Sequence, residues 1–299
     1  MDLIHPTLPN QHPRLKFKFK AGWSQRILFT SDEHADSPES VLDILLDHYR
    51  EAKETGAYIV SAGDFFDVIN SREDERRSMS TVRDEHKVDA YVDAVLEFGL
   101  KTFGKFADQF IYFGTGNHES KLMKLTGSDI TARFVDELNR LRSPGLPPIY
   151  RAGYGGWLRC QFERGADRVL GGRQSCNIKI FHGAGGASPV TKGTMEVQRM
   201  ASYIDGADVV VTGHNHHSWQ IPHMFESINN SGIAYMKPRK HLKLAGYKVD
   251  YRLDGSGTWS MQGGNGPRPI GGAWLTFTAD GDRVTWETQE TKVDYSKVA

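Results

Sequence analysis

Five short clusters along the chain carry side chains that can hold a metal ion or move a proton. They are Asp32-Glu33-His34, Gly63-Asp64-Phe65-Phe66-Asp67, Gly116-Asn117-His118-Glu119, His182-Gly183 and Gly213-His214-Asn215-His216. Aspartate, asparagine and histidine offer oxygen and imidazole donors. That set suits manganese, iron, zinc, cobalt or nickel, not a thiolate-selected metal or an all-oxygen calcium site. In Asp32-x-His34 and His214-x-His216 the i, i+2 spacing turns both side chains to one face of an extended segment. Glycines ahead of Asp64, Asn117 and His214 permit tight turns and close backbone approach. Taken singly, each cluster has an ordinary reading: Asp-x-His can cap a strand end, and Gly-Asp-x-x-Asp can form a turn and a helix cap. Their ordered recurrence points to one shared site.

Each cluster closes a short apolar run: 26–31, 57–62, 109–115, 177–181 and 208–212. These runs read as strands. Helical patterns are expected from Ser37-Pro38 to Thr55, from Val88 to Phe106, from Asp129 to Leu141 and from Thr194 to Ile204, with Gly56 stopping the first. Alternating strands and helices imply a mostly parallel inner sheet, with later strands forming a second sheet packed on it. Sites in such sheets form outside the carboxyl ends of the strands. Residues 1–22 read as an N-terminal arm, in which Leu15 to Lys20 alternates like a half-buried edge strand with lysines outward. Residues 23–220 form the core that carries the clusters, and residues 221–299 a β-rich segment that caps the site, all within one domain over 1–299. The charged stretch from Ser71 to Asp89 is expected to begin as a solvated loop.

The 299 residues are 38% apolar and 25% charged, the composition of a globular protein. Lysine and arginine (37) balance aspartate and glutamate (37), so no overall field draws the chain to DNA or an anionic membrane. Cys160 and Cys176 form neither a disulfide framework nor a thiolate metal site, which fits a reducing, cytoplasmic setting. No run is long enough to span a bilayer, and residues 1–20 lack the apolar centre of a signal peptide.

The ordered clusters resemble the calcineurin-like metallophosphoesterases, whose pattern is Asp-x-His, Gly-Asp-x-x-Asp, Gly-Asn-His-(Asp or Glu), a later His often followed by Gly, and Gly-His-x-His. The resemblance implies a four-layer α/β/β/α sandwich, two mixed β-sheets flanked by helices, with a dinuclear site at the carboxyl ends of the strands. It implies one ion on Asp32, His34, Asp64 and His216, and another on Asp64, Asn117, His182 and His214, with Asp64 bridging. His118 is then a catalytic residue facing substrate rather than a ligand. Two divalent transition-metal ions are expected as cofactors, manganese first, with a metal-bridging hydroxide attacking phosphorus. Glu119, and with less force Asp67, are candidates for orienting an imidazole; Asp67 reads equally as a helix cap.

The Gly63-to-Ile69 run lacks the Arg-Gly continuation usual in Ser/Thr protein phosphatases and sits closer to the nucleases and diesterases of the family. A looser likeness, through Pro267 to Trp274 and Val190 to Gly193, is to phosphoesterases of phages and prophages. Lys237, Arg239 and Lys240, with nearby tyrosines, are candidate contacts for a nucleic-acid backbone, or else a solvated hairpin face. The leading expectation is a phosphodiesterase acting on DNA or RNA. A phosphomonoesterase for a nucleotide or small metabolite and a non-catalytic scaffold remain as alternatives. His217 is expected to point away from His216.

Overall fold

The computed structural model describes residues 2–8, 10–69, 82–164, 174–186, 188, 190–249, 251–254, 261 and 264–298. In chain order the first half runs β1 (Asp2–Ile4), β2 (Arg14–Phe19), β3 (Ser24–Thr30), α1 (Leu42–Glu54), β4 (Tyr58–Ser61), α2 (Tyr91–Phe103), β5 (Phe110–Phe113), α3 (Asn117–Thr126) and α4 (Ile130–Leu141). The second half adds β6 (Tyr150–Arg151), β7 (Gly155–Arg164), β8 (Gln174–Phe181), α5 (Thr194–Tyr203), β9 (Val209–Thr212), β10 (Trp219–Ile228), β11 (Ala234–Lys243), β12 (Ala273–Asp280) and β13 (Arg283–Glu290). Residues 71–81 of the expected charged loop lie outside the described residues.

The strands form two mixed sheets, ordered β1-β2-β7-β8-β9-β11-β10 and β13-β12-β3-β4-β5-β6. Successive side chains of a strand face opposite ways, and here both faces find apolar partners. Ile27 and Phe29 of β3, Val60 of β4 and Ile111 of β5 meet Leu158, Ile178, Val209 and Val211 of the other sheet in the inter-sheet core. Leu28, Ile59 and Phe110 face outward onto α1, α2 and α4 through Tyr49, Phe103, Phe134 and Leu138. On the far side, Val210 packs with Met200 and Ile204 from α5 and its end. The result is the expected α/β/β/α sandwich.

Direction matters most for the site. Strands β3, β4 and β5 are parallel neighbours, so Thr30, Ser61 and Phe113 finish at one edge. Strands β8 and β9 are also parallel, with Phe181 opposite Thr212. All five polar clusters therefore leave strand ends, and the two sheets are stitched there by the His214 N–H, which donates to Asp32 Oδ2 at 2.8 Å; within one sheet the Asp32 N–H donates to the Gly63 carbonyl at 2.9 Å.

Three expectations change. The N-terminal segment is not an arm with an edge strand. Strand β2 lies inside its sheet, parallel to β7 and antiparallel to β1, because Leu15, Phe17 and Phe19 reach the inter-sheet core. Residues 221–299 are more than a cap: β11 pairs with β9, and β12 lies between β13 and β3. Helix α1 starts at Leu42, since Ser37 spends its hydroxyl on the Glu39 N–H in a turn.

The Phe17 ring is 2% exposed and stacks on Phe162 with centroids 5.8 Å apart. Phe17→Ala should destabilise the fold by about 3–5 kcal/mol in a denaturant titration. A dispensable arm would give less than about 0.5 kcal/mol.

Candidate metal centre

Asp64 occupies the middle of the strand-end surface. It follows β4 through Gly63, is 2% exposed, and has φ of 54°. Its Oδ1 accepts the His118 N–H at 2.9 Å. Its Oδ2 lies 3.1 Å from His182 Nε2 and 3.9 Å from His118 Nε2. Three groups of ligand atoms gather around it, each with its atoms within 4.8 Å of one another: Asp32, His34 and His216; His34, Asp64 and His118; and Asp64, His182 and His214. His34 joins the first two and Asp64 the last two. Asn117 stands beside the third group, its Oδ1 3.1 Å from His182 Nε2.

The backbone is bent hard to achieve this. Among the described residues, eight non-glycine positions have positive φ, and Asp32, His34, Asp64, His214 and His216 are five of them. Such conformations cost about 1–3 kcal/mol each and persist where surrounding contacts enforce them. Gly116 shows how tight the enforcement is: a Cβ there would sit 2.0 Å from Asp64 Oδ1. The first turn of α3 is thereby pressed against the carboxylate, which is how the His118 N–H reaches it.

Asp67 bears on two imidazoles. Its Oδ1 contacts His34 Nδ1 at 2.7 Å, and its backbone carbonyl lies 2.6 Å from His118 Nδ1. A carbonyl only accepts, so His118 carries a proton on Nδ1 and its Nε2 is left for other work. Lys248 Nζ backs the same carboxylate at 3.1 Å. Burial opposes ionisation of Asp67, but Lys248 and His34 outweigh it and hold the carboxyl below its usual range.

Glu119 departs from expectation. Instead of orienting an imidazole, its buried carboxylate accepts the backbone N–H groups of Asp64, Phe66 and Gly116 at 3.2, 3.0 and 2.9 Å. Burial, and then the nearby Asp64 charge, push it up to about 8. A second brace, Asp36, is absent from the sequence reading: its carboxylate accepts the N–H groups of Asp67 and Val68 and the Tyr91 hydroxyl. The continuation of Asp32-x-His34 to a third alternate acidic residue was the available signal.

Lys237, Arg239 and Lys240 also depart from expectation. Strand β11 runs parallel to β9 with Lys240 opposite Val209 and Lys243 opposite Thr212, the last residue before the Gly213 motif. Lys240 is thus roughly 10 Å, and Lys237 roughly 20 Å, back along the strand from the site end. Arg239 is buried, donating Nε–H to the Ala207 carbonyl and lying over the Phe225 ring. Among the described residues, Lys248 and Lys243 do approach the site, and Lys243 is paired with Glu196 at 2.7 Å.

The donor set fits divalent cations. Asp32 Oδ1, His34 Nε2 and His214 Nδ1 are buried without a hydrogen-bond partner among the described residues. Orphaned polar atoms of that kind are costly unless something else satisfies them. Burial tends to neutralise His34 and His182, yet Asp67 and Asp64, respectively, pull each up to about 9. A metal ion must therefore displace protons, so its affinity rises with pH. No helix among the described residues is long and apolar enough to cross a membrane.

Two outcomes follow from this geometry. In metal-free protein, the two imidazoles contribute stability fully present below about pH 6.5 and lost as pH rises through about 9. The melting temperature in chelator should fall over that window, and added Mn2+ should reverse the fall; a flat profile in chelator would contradict the pairing. Gly116→Ala should displace Asp64 and lower Mn2+ affinity by about 10–100-fold in calorimetry, with the strand framework unchanged by circular dichroism.

The calcineurin-like phosphoesterase family model matches residues 25–218. Among solved structures, the chain is similar to vacuolar protein sorting 29 from Cryptosporidium parvum, at 11% identity over 90% of this chain and 99% of that one, with a TM-score of 0.32. It is similar to Thermotoga maritima protein TM1076, at 15% identity over 89% and 99%, with a TM-score of 0.31. It is also similar to GAP50, the anchor in the inner membrane complex of Plasmodium, at 11% identity over 91% and 89%, with a TM-score of 0.38. No curated protein matches the sequence. With its motif clusters, its two-sheet sandwich and a family match spanning most of its length, the chain belongs to the calcineurin-like phosphoesterase family.

Proposed function

We propose that this protein is a metal-dependent phosphodiesterase acting on nucleic acid. The observation that carries the proposal is the retained set of ligand groups linked through Asp64 and His34. Asp32, His34, Asp64 and His216 would hold one divalent ion, and Asp64, Asn117, His182 and His214 the other. When bound, such ions supply Lewis acidity and activate water for in-line attack on phosphorus.

The chain's own residues do the rest. Asp64 holds the two halves of the ligand set in register. Asp67 fixes His34 by its carboxylate and His118 by its carbonyl. With Nδ1 protonated and tied to that carbonyl, His118 can receive a second proton at Nε2 and deliver it to the departing ester oxygen. The preference for a diester rests on charge. The two lysines nearest the ligand groups are each engaged by a carboxylate, Lys248 by Asp67 and Lys243 by Glu196. A centre so balanced suits a monoanionic diester better than a dianionic monoester.

The test compares bis-p-nitrophenyl phosphate with p-nitrophenyl phosphate after chelation and Mn2+ readdition. The diester should be preferred, and preference for the monoester would overturn the proposal. His118→Ala should lower kcat by about 100-fold or more with both ions retained. Loss of an ion in that variant would instead make His118 a ligand, a role its grouping with His34 and Asp64 permits.

A further inference from the structure

Strands β10 and β11 are ten residues long each, yet β9 pairs only with Lys240–Lys243 of β11. From the Met224–Pro238 pair out to the Ile228–Ala234 pair, the hairpin is therefore a two-stranded ribbon among the described residues, with β10 at the edge of its sheet. Such a ribbon is marginal in water unless its faces are covered. The odd-numbered face is covered from within the chain. The Arg239 guanidinium lies 4.3 Å from the centroid of the Phe225 ring, its Nε–H donates to the Ala207 carbonyl, and the His223 and His241 rings meet with centroids 4.8 Å apart.

The even-numbered face is different. Side chains alternate along a strand, and Leu242 enters the inter-sheet core, so this face looks toward the other sheet. That sheet reaches it at Gln220, where the Thr288 hydroxyl of β13 donates to Oε1 at 2.7 Å. Farther out, Met224, Ile228 and Met236 are 61%, 66% and 67% exposed, and Pro222, Ala234 and Pro238 beside them are exposed too. Apolar area gathered in this way marks a contact surface. The edge of β10 is a poorer one. The Lys240 N–H donates to the Asp208 carbonyl at 3.0 Å on the β9 side, so the even residues of β10 turn their backbone groups to the open edge. Pro222 is among them and has no N–H, which interrupts the pairing of any added strand.

We propose that this face docks on the same face of a second copy of the chain, across a two-fold axis level with the Met224–Pro238 pair. Charge and area favour a copy over another partner. The face carries one acid, Glu226, and one base, Lys240, placed two residues to either side of the axis. An antiparallel two-fold brings Glu226 of each copy to the level of Lys240 of the other, so the surface is complementary to itself. Covering the exposed apolar side chains on both copies removes on the order of 1,000 Å² from water, the size at which specific interfaces begin. The tip of the ribbon points away from the metal centre, because β11 draws level with Thr212 only at Lys243. Docking therefore leaves both metal centres open, and the inference does not depend on the phosphodiesterase reading.

Sedimentation equilibrium of the full chain at micromolar concentration should give twice the 33.6 kDa of one chain. Met224→Arg, which sets two like charges on the axis, should weaken that dimer by at least about 30-fold, with Mn2+ binding per chain unchanged by calorimetry. Ser227→Glu, on the opposite face of the same strand, should leave the dimer intact. Glu226→Lys and Lys240→Glu should each weaken it, and the double variant should recover it. A wild type that stays monomeric across the micromolar range would overturn the proposal, and flotation of that monomer with phosphatidylcholine vesicles would reassign the face to a lipid surface. A dimer that survives Met224→Arg, or that Ser227→Glu splits equally, would overturn it by placing the contact elsewhere.

Discussion

A fully buried carboxylate beside several imidazoles is the constraint on which the rest of this structure turns. Asp64 is kept ionised, well below its ordinary range, against its own burial by the charge of His182 and His118. Such a buried charge is tolerated only where neighbouring groups pair with it and hydrogen-bond to it. The sequence devotes much of its local chemistry to that end. Gly116 removes the Cβ that would collide with it, Glu119 gathers three backbone N–H groups around it, and the first turn of α3 presents an amide to it. The positive φ at five motif positions has the same origin, since the chain must fold back at each strand end for the donors to converge.

The two-sheet architecture follows from the need to bring five strand ends together. The parallel strands β3, β4 and β5 of one sheet deliver Asp32, Asp64 and Asn117 in adjacent loops. His182 and His214 come from the parallel pair β8 and β9 of the second sheet. The sheets meet through a dry core of Ile, Val, Leu and Phe, while their site ends meet through polar groups such as the His214 amide and the Asp32 carboxylate. Apolar packing therefore sets the distance between the sheets, and the ligand groups inherit their spacing from it. Packing errors in this core would propagate to the donors, because close-packed interiors transmit strain.

What could be read in the sequence follows from what is local. Asp32, His34, Asp64, His182, His214 and His216 announce themselves because donor types at the ends of apolar runs need no tertiary knowledge. Glu119 was visible as a polar neighbour of His118, but its partners are backbone amides, which no sequence displays. Asp36 was hidden for the same reason. Lys237, Arg239 and Lys240 misled because alternation reveals which face a side chain occupies but not which end of the sheet is the working end. Only the parallel register of β11 with β9 shows that the basic triplet lies upstream. Strand β2 looked like an edge because its lysines point outward, whereas β1 covers it on one side and β7, from a distant segment, on the other.

Charge placement gives the last link between fold and chemistry. The chain is neutral overall, and the two lysines closest to the ligand groups are paired with carboxylates, one behind His34 through Asp67 and one behind Ala184 through Glu196. These pairs tune and brace the centre rather than standing as uncompensated charge. Keeping the nearby lysines paired in this way has a physical rationale. A cation placed directly among the ligand groups would compete with divalent ions for Asp32 and Asp64. A cation already held by its own carboxylate leaves those donors to the metal.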